Sequence, residues 1–325
     1  PSEAVLDCVC CPVCRGKLRR VEQELVCGTS HSHDRFPIVD GVPILIDEQR
    51  SIFRLSDFSN RQVASQPQSR LHQFALRWLP SLDLNVSGRR NSVAVRGILL
   101  GMSARPKVLN VGGKHPAAAM SGLRRDPGID CLQCDLTSGG VVDVVADPRA
   151  LPFADESFDG VFLDGVLEHS VDPQQIVDEV HRVIRQGGVV YADTPFMLPV
   201  HGGAFDFQRF SPLAHRRLFA AFSPVNSGVS SGPAAALGYS LQSLFLAGVT
   251  RRSTRFAVKT LCRLLFFWIK YFDLLIASRP GAADGALGVF FIGRRSGNRY
   301  NDRSILRDYS GATPDLYAGV RSSGD

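Results

Sequence analysis

The stretch Val141–His169, VVDVVADPRALPFADESFDGVFLDGVLEH, decides the fold of this chain. It contains two apolar runs, VVDVVAD and FDGVFLDG, each closing on an aspartate, Asp147 and Asp164. Runs this short and this rich in Val, Phe and Leu, bounded by turn residues, predict buried strands. The loop between them carries Leu151, Pro152 and Phe153 and then an acidic turn, Ala154–Ser157. In an open parallel sheet, ligands bind just outside the carboxyl ends of the strands. Two acid-tipped strands therefore predict one crevice with a nucleotide-type site.

Working outward, the chain alternates strands and helices. KVLNVGG (107–113) is an apolar strand running into glycines, and GIDCLQCDL (128–136) is a second strand ending at Asp135. The segment DPQQIVDEVHRVIRQGG has apolar residues at helical spacing and a glycine stop, and GGVVYADTPF supplies a further strand. Such alternation predicts right-handed crossovers and a mostly parallel sheet.

VADPRALPFADESFDGVFLDGVLEH resembles the middle of a class I S-adenosylmethionine-dependent methyltransferase of the ubiquinone-biosynthesis-like type. The resemblance implies an α/β, Rossmann-like fold with a mostly parallel seven-stranded sheet. It also implies that Asp147 accepts the adenine amino group, Ala146 and Leu151 flank the ring, and Asp164 closes the fourth strand beside the cofactor. Asp135 would hold the ribose hydroxyls, since a carboxylate accepts both protons. Gly112 and Gly113 would let the backbone approach the methionine end without an intervening Cβ. The glycine loop departs from the family pattern: Asn110 replaces an acid, and Lys114 and His115 stand where small residues are common.

The first fifty residues carry different chemistry. Five of the eight cysteines, Cys8, Cys10, Cys11, Cys14 and Cys27, fall within the first 27 residues, and no charged-then-apolar leader accompanies them. That pattern predicts a reduced, cytoplasmic compartment and a metal in place of disulfides. Cys11-Pro12-Val13-Cys14 puts two thiolates on one tight turn, and Cys27 offers a third after the hairpin-like LRRVEQELV. His31 or His33 completes a Cys3His zinc site, His31 being the preferred fourth ligand. CPVCRGKL…ELVC…FPIVDGVPILI resembles the zinc ribbon of the tRNA-methyltransferase-activator type, with Ser30 or Ser32 where that family has its last cysteine. Four closed ligands leave no open position, so this zinc is structural.

These features divide the chain into a ribbon (1–48), a linker with helices (49–105), a methyltransferase domain (106–293) and a flexible polar tail (294–325). RLHQFALRWL and SGRRNSVAVRGILLGM read as linker helices. A formal charge of +6, from 37 basic against 31 acidic residues, is too mild an excess to choose between nucleic acid, anionic lipid and other acceptors.

PFMLPVHGGAFDFQRFSPLAHRRLF (195–219) follows the fifth strand and is dense in groups that bind or activate a polar acceptor: His201, Asp206, Arg209, His215, Arg216 and Arg217. It resembles a subgroup of these methyltransferases, frequent in bacteria and associated with glycan or cell-envelope biosynthesis. An oxygen acceptor needs deprotonation, and a histidine suits that work at neutral pH. His201 and His169 are the candidate bases, with Asp206 as orienter or alternative base. Arg209 either clamps an anionic acceptor or pairs Asp206. Further on, Arg251–Ile276 reads as one long helix interrupted by Lys270 and Asp273, either buried against the domain or lying on a membrane that carries a lipid-linked acceptor.

Three functions fit these residues. The first is O-methylation of a small-molecule, glycan or cell-envelope-linked acceptor. The second is methylation of rRNA or tRNA, although base methylation generally places N/D-P-P-Y where this chain has DGVLEH, and the ribbon lacks a dense basic and aromatic face. The third is a catalytically inactive assembly partner.

Overall fold

The computed structural model describes residues 3–29, 35–59, 79–112, 120–136, 142–297 and 299–316. His31, His33, Gly113, Lys114, His115 and most of RLHQFALRWL lie outside them.

The parallel sheet forms where the apolar runs predict it. Its strands are β5 (Lys107–Gly112), β6 (Asp130–Asp135), β7 (Val144–Ala146), β8 (Phe158–Asp164) and β9 (Ile184–Pro195), in spatial order β7-β6-β5-β8-β9. All four pairings are parallel. Beyond β9 the sheet continues antiparallel through β11 (Gly288–Arg295) to β10 (Phe222–Ser231). Strand β8 is buried along nearly its whole length, as a central strand covered on both faces requires.

The sheet does not stop at seven strands. The ribbon strands β1 (Leu18–Val21), β2 (Glu24–Cys27), β3 (Arg35–Val39) and β4 (Val42–Leu45) form a meander, and β4 then pairs in parallel with β7. Ile44 aligns with Val145 and Leu45 with Ala146, giving one eleven-stranded sheet. The Cys10 amide adds a 2.8 Å hydrogen bond to the Pro152 carbonyl. The VPIL run covers an edge that would otherwise expose unpaired backbone groups.

Helices cover both faces. Helix α1 spans Glu3–Leu6 and α2 Leu55–Ser59. Helix α3 (Gly88–Met102) buries Val95 and Leu99 against Val108, Phe162 and Tyr191. Helix α4 (Pro173–Val183) buries Ile176, Val177, Val180 and Val183 on the opposite face. The Asp172 carboxylate caps α4 by accepting from the Gln175 amide at 3.1 Å. The expected glycine stop is not used: the chain leaves the helix at Ile184 and enters β9 directly, because Ile184 is fully buried in the sheet layer.

Two expectations change in the C-terminal third. Arg251–Ile276 is not one helix but α7 (Arg252–Phe266), a 3-10 turn (Ile269–Phe272) and α8 (Asp273–Ile276), which pack beside α6 (Pro233–Leu246). Its polar interruptions are the buried part. Lys270 donates to the Ser81 carbonyl at 2.9 Å, while Asp273 accepts from the Ala234 and Ala235 amides at 2.9 and 3.0 Å and so caps α6. Leu264, Leu265, Trp268, Phe272, Leu274 and Leu275 are left exposed. Among the described residues, no helix is long and apolar enough to cross a membrane. Nor is the start of the polar tail free: α9 (Asp302–Arg307) buries Ile305, and Asp308 pairs Arg216 of α5 (Pro212–Leu218) at 3.1 Å.

Candidate functional site

At the carboxyl ends of β5 to β8 lies a cleft of about 730 Å³. Gly112, Asp135, Ala146 and Asp147 line it, as the strand-end argument predicts.

Gly112 sits at φ +67°, a left-handed conformation that glycine adopts without penalty. An added Cβ there would stand 2.5 Å from Val166 Cγ2. The buried Asn110, which replaces an acid of the family pattern, donates to the Gly112 carbonyl at 2.8 Å, and Gln133 donates to the same oxygen at 2.6 Å. An amide can donate this bond whereas a carboxylate cannot, so the departure fixes the loop in a different way.

Asp147 lines the cleft, but its oxygens are engaged. They accept from Ser51 Oγ at 2.6 Å and from Arg149 Nε and Nη2 at 3.2 and 2.8 Å. Leu151 is not at the cleft; it is buried in the core, where its amide donates to Glu179 at 2.9 Å. Asp164 faces a second cavity of about 240 Å³, which shares Gly165 with the first. Carboxylates dominate that second cavity: Asp83, Asp164, Glu168 and Asp193, with Asn85 and Ser230. Asp193 accepts from Ser230 at 2.7 Å, Tyr191 at 3.0 Å and Asn85 at 3.3 Å, yet full burial, then the neighbouring Asp164, pushes its pKa up to about 8.

Between the cavities stand the candidate bases. His169 Nδ1 lies 2.6 Å from the Phe205 carbonyl, which fixes the proton on that nitrogen and leaves Nε2 as a bare lone pair. His201 Nδ1 lies 3.3 Å from Asp206 Oδ2, and the two rings meet edge to face at 4.8 Å. Burial, then the neighbouring His169 ring, lowers the His201 pKa. Asp206 orients the loop: it accepts from the His201 amide at 2.8 Å and binds Arg209 through both oxygens, the second at 2.7 Å. That guanidinium holds the Asp206 carboxyl well below the usual range. Arg209 is thereby committed internally and does not face an acceptor.

The remaining basic residues of the segment leave the site. His215 is buried in the core, with its pKa pushed down to about 3 by desolvation. Arg216 stacks on Phe291 and Tyr300, and Arg217 pairs the exposed Asp302. Conversely, Glu168 belongs to the site and carried no sequence signal beyond its place beside His169. Burial raises its pKa to about 7. Phe53, from the linker, stacks on Phe205 at 5.9 Å across the cleft wall.

In the ribbon, Cys11, Cys14 and Cys27 converge, with Cys14 Sγ and Cys27 Sγ 3.4 Å apart. Thiolates about 2.3 Å from a shared tetrahedral zinc require such spacing, so the three sulfurs fit the metal. Among the described residues, the Thr29 hydroxyl stands next to them, 3.1 Å from Cys14 and 2.9 Å from Cys27.

Comparison with known proteins matches residues 2–41 to the Trm112p-like protein family and residues 121–192 to a methyltransferase domain. The chain joins a Trm112p-like segment to a methyltransferase domain. The ribbon is 43% identical over 50 residues to a UPF0434 protein of Shewanella oneidensis, spanning 15% of this chain and 81% of the relative. The methyltransferase domain is 29% identical over 105 residues to the ubiquinone/menaquinone biosynthesis C-methyltransferase UbiE of Cereibacter sphaeroides, covering 27% of this chain and 42% of that one. The chain thus spans less than half the length of that curated relative. Among solved structures, a complex of the Haloferax volcanii Trm112 methyltransferase activator with a methyltransferase aligns at 17% identity and a TM-score of 0.39, covering 65% of this chain and 92% of that one.

Proposed function

We propose that this chain transfers the methyl group of S-adenosylmethionine to a hydroxyl of a small-molecule, glycan or cell-envelope-linked acceptor. The observation that carries this reading is the junction of two cavities at Gly165. The larger, bounded by Gly112, Asp135, Ala146 and Asp147, has the size and the strand-end position of a nucleotide-type cofactor site. The smaller would hold the acceptor. Its carboxylates, amide and hydroxyls suit the donors of a polyhydroxylated molecule and repel a phosphate.

S-adenosylmethionine, when bound, supplies an electrophilic methyl group on sulfonium. The chain's own task is to align the acceptor oxygen with that methyl, a proximity effect worth on the order of 7–11 kcal/mol. The acceptor proton leaves toward the cluster formed by Glu168, His169 and His201. Phe53 stacked on Phe205 limits water at the cleft.

The apolar face of α7 and α8 supports delivery of that acceptor at a membrane surface. Leucines and Trp268 face outward beside Arg252, Arg255 and Arg263, a combination suited to anionic lipid. RNA methylation is the second reading, favoured by the Trm112p-like match and opposed by the acidic acceptor cavity.

Titration calorimetry with S-adenosylhomocysteine tests the cofactor assignment: one molecule per chain is expected, weakened in Asp135→Ala. Absence of binding would favour an inactive assembly partner. Methyl transfer to cell-envelope sugar extracts and none to RNA supports the first reading, and the reverse result replaces it with the second.

A further inference from the structure

We propose that Glu168, His169 and His201 form a second metal site, which takes a divalent first-row cation at the seam between the cofactor cleft and the acidic cavity. The catalytic role assigned to the cation rests on the methyltransferase reading; the site itself rests on geometry.

Glu168 Oε1 lies 3.8 Å from His169 Nε2 and 3.7 Å from His201 Nε2, and one ligand atom from each residue falls within 4.8 Å of the others. These separations are too long for hydrogen bonds, which close to about 2.7–3.2 Å. They are close to what a shared ion imposes: ligands about 2.0–2.2 Å from one metal stand roughly 3.0–3.6 Å apart. Rotation of the two imidazoles toward Glu168 would complete the site.

The protons point the same way. His169 donates Nδ1–H to the Phe205 carbonyl, so its Nε2 lone pair faces a carboxylate oxygen with nothing positive between them. His201 has Nδ1 between the ionised Asp206 at 3.3 Å and Arg209 Nη2 at 3.4 Å, and its Nε2 is turned toward the same Glu168 oxygen. The His169 lone pair and the carboxylate oxygen repel one another unless a cation separates them. Metal-bound histidines nearly always anchor their second nitrogen on a backbone carbonyl or a carboxylate, and here one histidine has each.

Glu168 supplies an independent observation. Its side chain is 1% exposed, and Oε2 has no hydrogen-bond partner among the described residues. A buried carboxylate oxygen without a donor is costly, and a metal removes that cost. His169 borders the larger cleft and Glu168 the smaller, so the open coordination positions face the place where an acceptor oxygen meets the methyl donor.

A cation there would bind the acceptor hydroxyl and lower its pKa. With Glu168, His169 and His201 then serving as ligands in place of proton acceptors, the hydroxyl proton passes to solvent, the new carbon–oxygen bond forms as the carbon–sulfur bond breaks, and S-adenosylhomocysteine departs. The two-histidine, one-carboxylate set suits Mn²⁺, Fe²⁺, Co²⁺ or Zn²⁺, while the ribbon thiolates select zinc over manganese.

Mn²⁺ is therefore the probe, titrated into the zinc-loaded full chain while free Mn²⁺ is followed by electron paramagnetic resonance. One Mn²⁺ per chain is expected, with affinity falling at least tenfold in Glu168→Gln and His201→Ala and unchanged in Cys14→Ser. Asp206→Asn, which alters the anchor of His201, should weaken binding by about 10–100-fold. Where a variant fails the circular-dichroism check for folding, Co²⁺ in the wild-type chain decides: weak d–d bands without thiolate charge transfer place it here. No Mn²⁺ or Co²⁺ uptake beyond the ribbon zinc, or full binding by a folded Glu168→Gln variant, overturns the proposal. S-adenosylhomocysteine binding without Mn²⁺ uptake would end the metal site and spare the methyltransferase reading; uptake of Mn²⁺ without S-adenosylhomocysteine binding would do the opposite.

Discussion

Gly112→Ala tests most directly whether the cleft at the strand ends holds the cofactor. In the wild-type chain this residue sits at φ +67°, and a Cβ would lie 2.5 Å from Val166 Cγ2. An alanine in the left-handed region costs about 1–2 kcal/mol. Forcing a methyl into that contact adds about 1–3 kcal/mol, because Val166 or the backbone must move. The two effects sum to about 2–5 kcal/mol, which for a chain of this size lowers Tm by roughly 3–7 °C. The double variant Gly112→Ala/Val166→Ala removes the contact but not the backbone penalty, so about half of the loss should return. Differential scanning calorimetry reads the stability, and titration with S-adenosylhomocysteine reads the site, where the single variant should bind at least tenfold more weakly. If Gly112→Ala melts and binds like the wild type, the glycine does not cradle a ligand. If the second substitution recovers nothing, Val166 is not what the Cβ meets.

Three further outcomes follow from the structure. The folded chain holds a proton on Asp193 up to about pH 8, while an unfolded aspartate releases it near pH 4, so rising pH through that window favours unfolding through this residue. The Tm of Asp193→Asn minus that of the wild type should therefore grow from about pH 4 to pH 8 and flatten above it; a difference independent of pH would show that Asp193 ionises normally. Removing residues 1–47 strips β4 from β7 and bares the Val144–Ala146 edge, so the truncated chain should aggregate, and a monodisperse product as stable as the full chain would show that the ribbon strand is dispensable. Finally, Leu274 and Leu275, 64% and 71% exposed, should carry binding to vesicles containing anionic phospholipid: Leu274→Glu/Leu275→Glu is expected to abolish cosedimentation, and equal sedimentation of both proteins would remove the membrane from the account.

The parallel sheet was legible because its signal is local. Continuous Val, Leu and Phe runs ending in aspartate at Asp135, Asp147 and Asp164 can be satisfied only by buried strands, and the strand ends then gather at one crevice. The ribbon was legible for a similar reason, since C-x2-C brings two thiolates together within a single turn. The fate of the basic residues after β9 was not. His215, Arg216 and Arg217 are as polar in sequence as His201 and Arg209, but α5 turns the first two into the core and leaves Arg217 on the outer surface. Sequence spacing could not separate them, because a single helical turn decides which side chains meet the cleft and which the sheet.

The sequence by itself determined the kind of site: strand-end carboxylates, a glycine at the first turn, and a cysteine ribbon ahead of them. Only the tertiary structure decided how these pieces meet. It made the ribbon strand β4 the outer neighbour of β7, brought Asn85, Asp193 and Ser230 from distant segments around one acidic cavity, and turned the Nε2 atoms of His169 and His201 toward Glu168. It also inverted the segment from α7 to α8, with Lys270 of the intervening turn and Asp273 inside and the leucines outside. The physical reason is range. Burial periodicity and turn chemistry act between neighbours in the chain, whereas cavities, shared charges and exposed faces exist only once segments dozens of residues apart have packed.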